Sequence, residues 1–511
     1  MSENNKTILK WTGIVTVLLV VSRLLGFVRE SAITFRFGAT LETDAYYLVM
    51  VLPQVLFLAF NDAIKTAFIP VYGEYHKRED GATLAATAFV ILAVSLIIVT
   101  AGLILFAPWV VRLVAPGFEG EKYQIAVEMA RVILPSLIFM GLGGWCSGIL
   151  HTKRNFVIPA IPAYSSNLII IFTALLFGLQ FGIMGLAWGT VVGFASQFLV
   201  QLPAVAKHNV FKDWKLDWRH PGLKKMAVVL PPVLLGGAAI EIKTLVDRMF
   251  GSLLPDGSIT WLAVANRIYL LPNGILILAL LTVLYPTLVE LNVEKKMAEF
   301  KKTFREGVGL IVVLMLPMMV GLVVLRVPVV RLLFERGEFG AVDTAATAYP
   351  LALYSISLMP LGIMLLIKRT FFALLDTKTP MYFMIFTEAL NILLNYLLIG
   401  PLGHGGIALG TSLAVYVGAG GMAYLLWRKI GMLGGRRIFD TFVKSAVAAG
   451  IMGLVVFWGQ RFLTGGGFVR QAMELGALIG FGAALYFAMA YALKVRELDV
   501  ALEMVRRRLK R

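Results

Sequence analysis

Cysteine is nearly absent: Cys146, set inside an apolar run, is the only one in 511 residues. That excludes an intramolecular disulfide and any cysteine-based metal cluster. Histidine is scarce as well. His76, His151, His208, His220 and His404 fall in predicted loops, and no pair has the spacing of metal ligands on one helix. The chain has no GxxxxGKS or GxxxxGKT phosphate loop with which to hydrolyse ATP. A cleavable signal is not expected, because the first apolar stretch contains two arginines and lacks a small-x-small site. Charge is thin throughout: Asp, Glu, Lys and Arg make up 15% of the residues, against about 25% in soluble domains.

Apolar residues fill the gap. They make up 59% of the chain, and mean hydropathy is +0.82. A membrane-spanning helix takes roughly 20 apolar residues, so fourteen would use about 280. Apolar runs punctuated by turns and charges predict fourteen spans: 12–35, 44–71, 84–108, 124–150, 158–178, 183–205, 224–251, 258–287, 304–326, 345–373, 380–400, 405–428, 440–460 and 470–493. The first, second, seventh and eighth carry internal charge that a hydropathy scan alone would penalise. The class is an all-α polytopic membrane protein.

The placement of cations sets the topology. With the N-terminus inside, 29 of the 47 Lys and Arg fall on inner loops and tails and only 8 on outer ones. This positive-inside bias places both termini in the cytoplasm. The net charge of +17 therefore reports on membrane orientation, and no nucleic-acid partner is expected. The C-terminal RRRLKR reads as a basic anchor on anionic lipid.

The chain also repeats itself. Leu52-Pro53-Gln54 recurs as Leu271-Pro272-Asn273, and Thr66, Pro70 and Glu74 recur as Thr282, Pro286 and Glu290. Val110-Val111-Arg112-Leu113 recurs as Val329-Val330-Arg331-Leu332, and Thr152-Lys153 as Thr377-Lys378. Gly185, Ala187, Gly189 and Thr190 recur as Gly406, Ala408, Gly410 and Thr411. The offsets run from 216 to 225 and keep their order. Six helices per copy make two parallel repeats: an N-lobe over 1–206, a basic linker over 207–223 and a C-lobe over 224–429. A helix pair over 430–494 and a basic tail over 495–511 follow. Transporters of this plan bind substrate between lobes and alternate access by rocking.

An arginine or aspartate at mid-bilayer costs about 2.5–3.5 kcal/mol and should face a cavity or a partner. The segment SRLLGFVRE puts Arg23 and Arg29 on the first helix, about 9 Å apart along its axis, with no matching carboxylate on their face. Asp44 opens the second helix. Arg267 lies in ANRIYLLPNG of the eighth, and Lys368 and Arg369 lie late in the tenth. An arginine fork matches a phosphate or carboxylate, so these residues suit an anionic headgroup. A second group combines Asp247 with Asn391, Asn395 and Thr411. Oxygen donors of this kind suit a hard cation, but Lys243 stands four residues before Asp247 and is placed to neutralise it.

SRLLGFVRES, TDAYYLVMVLP, AFIPVYGEY, ANRIYLLPNG and ALLDTKTP, in that order, resemble the MurJ (MviN) lipid II flippases of bacterial inner membranes, within the MOP transporter superfamily. The likeness runs from about residue 12 to 430. It implies fourteen helices in two six-helix lobes plus a terminal pair that lines a groove for the lipid tail. It further implies transfer of undecaprenyl-linked peptidoglycan precursor to the outer leaflet of the cytoplasmic membrane. By resemblance, Arg23, Arg29 and Arg267 match cavity arginines and Asp44 matches a functionally important acid. Asp247, Asn391, Asn395 and Thr411, with the carbonyl of Ile407, fall where family members hold sodium. Asn395 stands where some members have aspartate, and Phe57 and Leu58 stand where relatives can carry arginine.

No bond-making chemistry is expected, nor any cofactor besides a sodium ion. The expected partners are lipid II, anionic bilayer lipids and peptidoglycan synthesis proteins, and a monomer suffices. The competing readings are a flippase for another polyprenyl-linked glycan, a MATE-type antiporter, and a membrane glycosyl- or acyltransferase. The antiporter should carry cavity acids, and the transferase needs a base or carboxylate cluster that the sequence does not show.

Overall fold

The structure is a computed structural model that describes residues 3–208, 210 and 215–498. Among these residues it is helical throughout, and the sole β feature is an isolated bridge between Arg336 and Phe339. In a bilayer every backbone N–H and C=O must be satisfied within its own segment, which leaves helices as the solution for apolar runs of this length. The chain forms two compact units. One runs to Thr260 and includes Arg336–Phe339; the other holds Trp261–Glu335 and continues from Gly340.

The first unit contains α1 (Glu3–Phe37), α2 (Leu41–Ala63), α3 (Ile69–Tyr75), α4 (Gly81–Leu105), α5 (Ala107–Val114) and α6 (Gly120–Ile133). It continues with α7 (Ser136–Thr152), α8 (Pro162–Phe172), α9 (Gly178–Leu199), α10 (Leu202–Ala206) and α11 (Pro221–Ser252). The second unit begins within α12 (Ser258–Pro272) and adds α13 (Leu278–Val293), α14 (Met297–Val324), α15 (Arg326–Phe334), α16 (Ala341–Ser355) and α17 (Leu358–Ala373). It ends with α18 (Lys378–Leu402), α19 (His404–Ile430), α20 (Gly435–Gly459) and α21 (Phe468–Ala492). Two of the histidines expected in loops are helical: His151 lies in the last turn of α7 and His404 opens α19.

By length and composition, ten helical stretches among the described residues can cross a membrane, or eleven if α16 and α17, bent by 44°, form one span. The sequence reading expects fourteen, and part of the difference has a physical origin. Residues 158–206 form one apolar stretch of 49 residues, yet Gly182 interrupts it with φ 58 and ψ −150. A glycine in that conformation ends one helix and starts another.

Matching backbone details occur in the two units. Gly403, before α19, has φ 55 and ψ −135, close to the values at Gly182. Phe106 joins α4 to α5 at φ −94 and ψ 16; Leu325 joins α14 to α15 at φ −90 and ψ 14. Lys153 and Leu374 end α7 and α17 at φ −84, ψ 12 and φ −85, ψ 10. Lys153 and Leu374 are 221 residues apart, whereas the sequence match of Thr152 with Thr377 has an offset of 225.

Glycine rows set the closest helix approaches. On α19, a Cβ at Gly406 would come within 2.2 Å of the Leu398 carbonyl oxygen, and one at Gly410 within 2.4 Å of Asn395 Oδ1. On α9, a Cβ at Gly189 would lie 2.2 Å from Thr173 Oγ1. Helices in lipid associate through such close backbone contact, because lipid supplies no hydrophobic drive between them.

Candidate functional site

The residues of SRLLGFVRE lie on α1. Arg23 is exposed, whereas Arg29 retains only 17% of its side-chain exposure and lies 3.3 Å from Glu30 Oε2. Glu30 itself is buried. The sequence offers no carboxylate on the arginines' own face of α1, but Glu30, the next residue, reaches Arg29 all the same. Adjacent residues point about 100° apart on a helix, but arginine is long enough to fold back. The charge of Arg29 is thereby largely compensated within its own helix, which leaves Arg23 as the more available donor on α1. Nearby, Tyr46 on α2 shares a hydrogen bond of 2.9 Å with Thr190 on α9.

Asp44 is fully buried and hydrogen-bonded on both oxygens. A reciprocal cap between Thr40 and Thr43 starts α2 and fixes where the next side chain points. Asp44 Oδ2 accepts from Lys122 Nζ at 3.1 Å and from the Gly257 amide at 2.8 Å. Oδ1 accepts from the Thr260 amide and hydroxyl. Lys122, in the first turn of α6, also reaches Asp256 at 2.7 Å. The sequence reading counted Lys122 only as a loop cation and did not single out Thr260. No local signal links them to Asp44, because the contacts span 78 and 216 residues. As arranged, Asp44 ties the start of α2 to α6, to the turn before α12 and to the first turn of that helix.

In the second unit, Arg267 on α12 is exposed. Arg369 on α17 is exposed too, with its guanidinium 5.3 Å from the Tyr285 ring centroid on α13. Such stacking orients a guanidinium without consuming its hydrogen-bond donors.

Four of the five residues expected around a cation come together between α18 and α19. Asn391 Nδ2 donates to Thr411 Oγ1 at 3.1 Å, Asn395 Nδ2 to Asn391 Oδ1 at 3.4 Å, and Thr411 Oγ1 to the Ile407 carbonyl at 3.0 Å. Asn391, Asn395 and Ile407 are buried. Asp247 belongs to the other unit, where Lys243 Nζ lies 3.5 Å from its carboxylate. A resident cation fits this set poorly. The four groups of the second unit are neutral, three hydrogen bonds already link them, though none of these uses Asn395 Oδ1, and the one carboxylate has a cation beside it. No group of three His, Cys, Asp or Glu suited to a metal exists among the described residues.

The family model for the lipid II flippase MurJ matches residues 33–477. A probable lipid II flippase MurJ of Buchnera aphidicola is 33% identical over 79% of this chain and 80% of its own length. The Vibrio cholerae counterpart is 30% identical over 97% of this chain and 98% of its own. The lipid II flippase MurJ of Burkholderia cenocepacia is 30% identical over 93% and 95%. Among solved structures, a lipid II flippase MurJ in an inward closed conformation superposes with a TM-score of 0.81 at 24% identity, covering 95% of this chain and 99% of that one. An inward-facing MATE-family multidrug transporter of the MOP superfamily gives 0.70 at 16% identity, over 81% and 98%. Those two likenesses speak for the fold, and the family model together with the relatives speaks for descent. The chain belongs to the lipid II flippase MurJ family.

Proposed function

We propose that this member of the family moves undecaprenyl-diphosphate-linked disaccharide-peptide from the inner to the outer leaflet of the bacterial cytoplasmic membrane by alternating access. The observation that carries the reading is the pair of exposed arginines, Arg23 and Arg267, each on an apolar helix of a different unit. A diphosphate headgroup cannot enter hydrocarbon without partners for its charge. Guanidinium groups replace its water, two parallel hydrogen bonds at a time, while the polyprenyl chain stays in lipid. Arg369, held over Tyr285, supplies further positive potential, Arg29 has its charge compensated by Glu30, and Asp44 acts by fixing the frame rather than by meeting substrate. No bond is made or broken.

The proposed architecture is fourteen spans in two parallel six-helix repeats with a terminal pair, both termini cytoplasmic. Matching dihedral angles at Gly182 and Gly403, at Phe106 and Leu325, and at Lys153 and Leu374 support the duplication. The membrane potential is the proposed energy source, at about 2.3 kcal/mol per charge and 100 mV. No step is routed through sodium, given the donor set around Asn391 and Asp247. The fold is shared with drug exporters, but arginines where a cation exporter needs acids argue against that activity.

Complementation in bacteria depleted of their own lipid II flippase tests the proposal, with lipid II exposure on the outer leaflet as readout. Rescue by the wild type and loss in well-expressed Arg23→Ala and Arg267→Ala support it. Failure of well-expressed wild type sinks the substrate assignment, and rescue by both variants sinks the arginine mechanism.

A further inference from the structure

The first unit contains a cavity of about 420 Å³ away from the arginines and from Asp44. One wall is the turn Ile64–Phe68, where α2 widens into a π-helix and presents Ile64, Ala67 and Phe68. Ala88 on α4, Trp145 on α7 and Ala227 on α11 form the others. Ala227 and Ile91 are exposed, so the cavity opens on the surface of the unit. Its volume lies within the roughly 300–1,000 Å³ of ligand sites.

The mouth is built by the basic linker. Asp217 N donates to Thr87 Oγ1 of α4 at 3.1 Å, and the His220 ring lies 3.2 Å from Asp80 Oδ2 and against Tyr75. Between these two tethers, Trp218 is held at the cavity rim with 61% of its surface exposed. Lys224 lines the same rim. Its neighbour Lys225 is engaged by Glu74, whereas among the described residues no carboxylate pairs with Lys224. Lys215 and Arg219 are exposed on the same stretch. An apolar cavity open at the surface, with a tryptophan and an uncompensated lysine at its mouth, has the profile of an amphiphile site with one chain and one anionic head.

We propose that this cavity binds one acyl chain of an anionic phospholipid, with Lys224 at its phosphate and Trp218 at the level of the headgroup. A free phosphate would meet only a solvent-exposed lysine and gain little; the apolar walls supply the binding and the lysine the headgroup preference. The site is separate from the transport arginines, so its failure would leave the proposed function untouched.

Native mass spectrometry of the full-length protein in detergent tests this. The probes are palmitoyl-oleoyl phosphatidylglycerol, the matching phosphatidylcholine, undecaprenyl phosphate and inorganic phosphate. The expected result is one retained phosphatidylglycerol per chain, little phosphatidylcholine, and no competition by inorganic phosphate. Ala227→Trp fills the cavity and should remove the bound lipid. Ala88→Leu fills it from α4 and repeats the test independently of α11. Lys224→Gln should weaken phosphatidylglycerol about fivefold and narrow its preference over phosphatidylcholine. Unchanged lipid retention in both filled variants overturns the site. Equal retention of the two phospholipids overturns the headgroup assignment. Displacement of phosphatidylglycerol by undecaprenyl phosphate at equal concentration reassigns the cavity to the polyprenyl chain and overturns the proposal.

Discussion

Thr260 donates to Asp44 twice, from its amide at 2.9 Å and from its hydroxyl at 2.8 Å, both onto Oδ1. Truncating the carboxylate would orphan a buried amide and leave Lys122 with Asp256 alone. Asp44→Ala should therefore lose about 3–5 kcal/mol, read as a lower unfolding temperature in detergent. Arg23→Ala should unfold like the wild type and fail only in transport. An Asp44→Ala protein as stable as wild type would count against the framing role.

Arg29 and Glu30 behave as a unit if the 3.3 Å contact matters. Arg29→Ala alone should destabilise, because a buried carboxylate loses its counter-charge. Adding Glu30→Gln should recover stability but not transport. A double-mutant cycle should give a coupling of about 0.5–3 kcal/mol; additive effects would dismiss the pair.

Asp376, between α17 and α18, supplies a pH signature outside the spans. Burial pushes its carboxyl upward, but hydrogen bonds from Lys429 and from the Thr379 amide and hydroxyl outweigh this and hold it at about 2, below the ordinary 3.8. A depressed carboxyl stabilises the fold above its unfolded value and loses that contribution as pH falls through the folded one. The wild type should lose stability between pH 3.8 and about 2, while Asp376→Asn shows a flatter profile in that window. Matching profiles in acid-unfolding curves would refute this.

Sodium should not drive transport through the Asn391 group. Replacing sodium with potassium at constant membrane potential should leave lipid II exposure unchanged, and Asn395→Asp should create sodium dependence where none existed. Loss of activity in potassium would restore the cation site.

Two glycines of α19 make a controlled comparison. Gly410→Ala drives a methyl into Asn395 and should cost about 1–3 kcal/mol. Gly420 has open space, so Gly420→Ala should gain about 0.5–1 kcal/mol. Thermal unfolding of both in one detergent decides it.

Helical class and most span positions were legible from the sequence, because hydrocarbon demands long uninterrupted apolar runs. The glycine matches 185/406 and 189/410 were legible too, and they sit where helices touch. Lys122, Thr260 and Gly257 were not, since their meeting with Asp44 depends on tertiary contacts rather than periodicity. Glu30 was visible beside Arg29 but was discounted by helix geometry, which places adjacent Cβ atoms apart and ignores side-chain length.

The π turns at Ile64–Phe68 and Asn273–Ile277 carry a consequence for how these spans can be altered. A π turn accommodates one residue more than an α turn, so everything beyond it is rotated by about 100° relative to an unbroken helix. Deleting one residue within 64–68 would let the wide turn revert to α geometry, so that α2 runs straight into α3 with Tyr72 and Tyr75 kept on their buried face. The same deletion one turn earlier could be absorbed by sliding the wide turn along the helix. Each of these helices thus holds a spare residue in reserve, and tolerance to single-residue deletions should peak sharply around it.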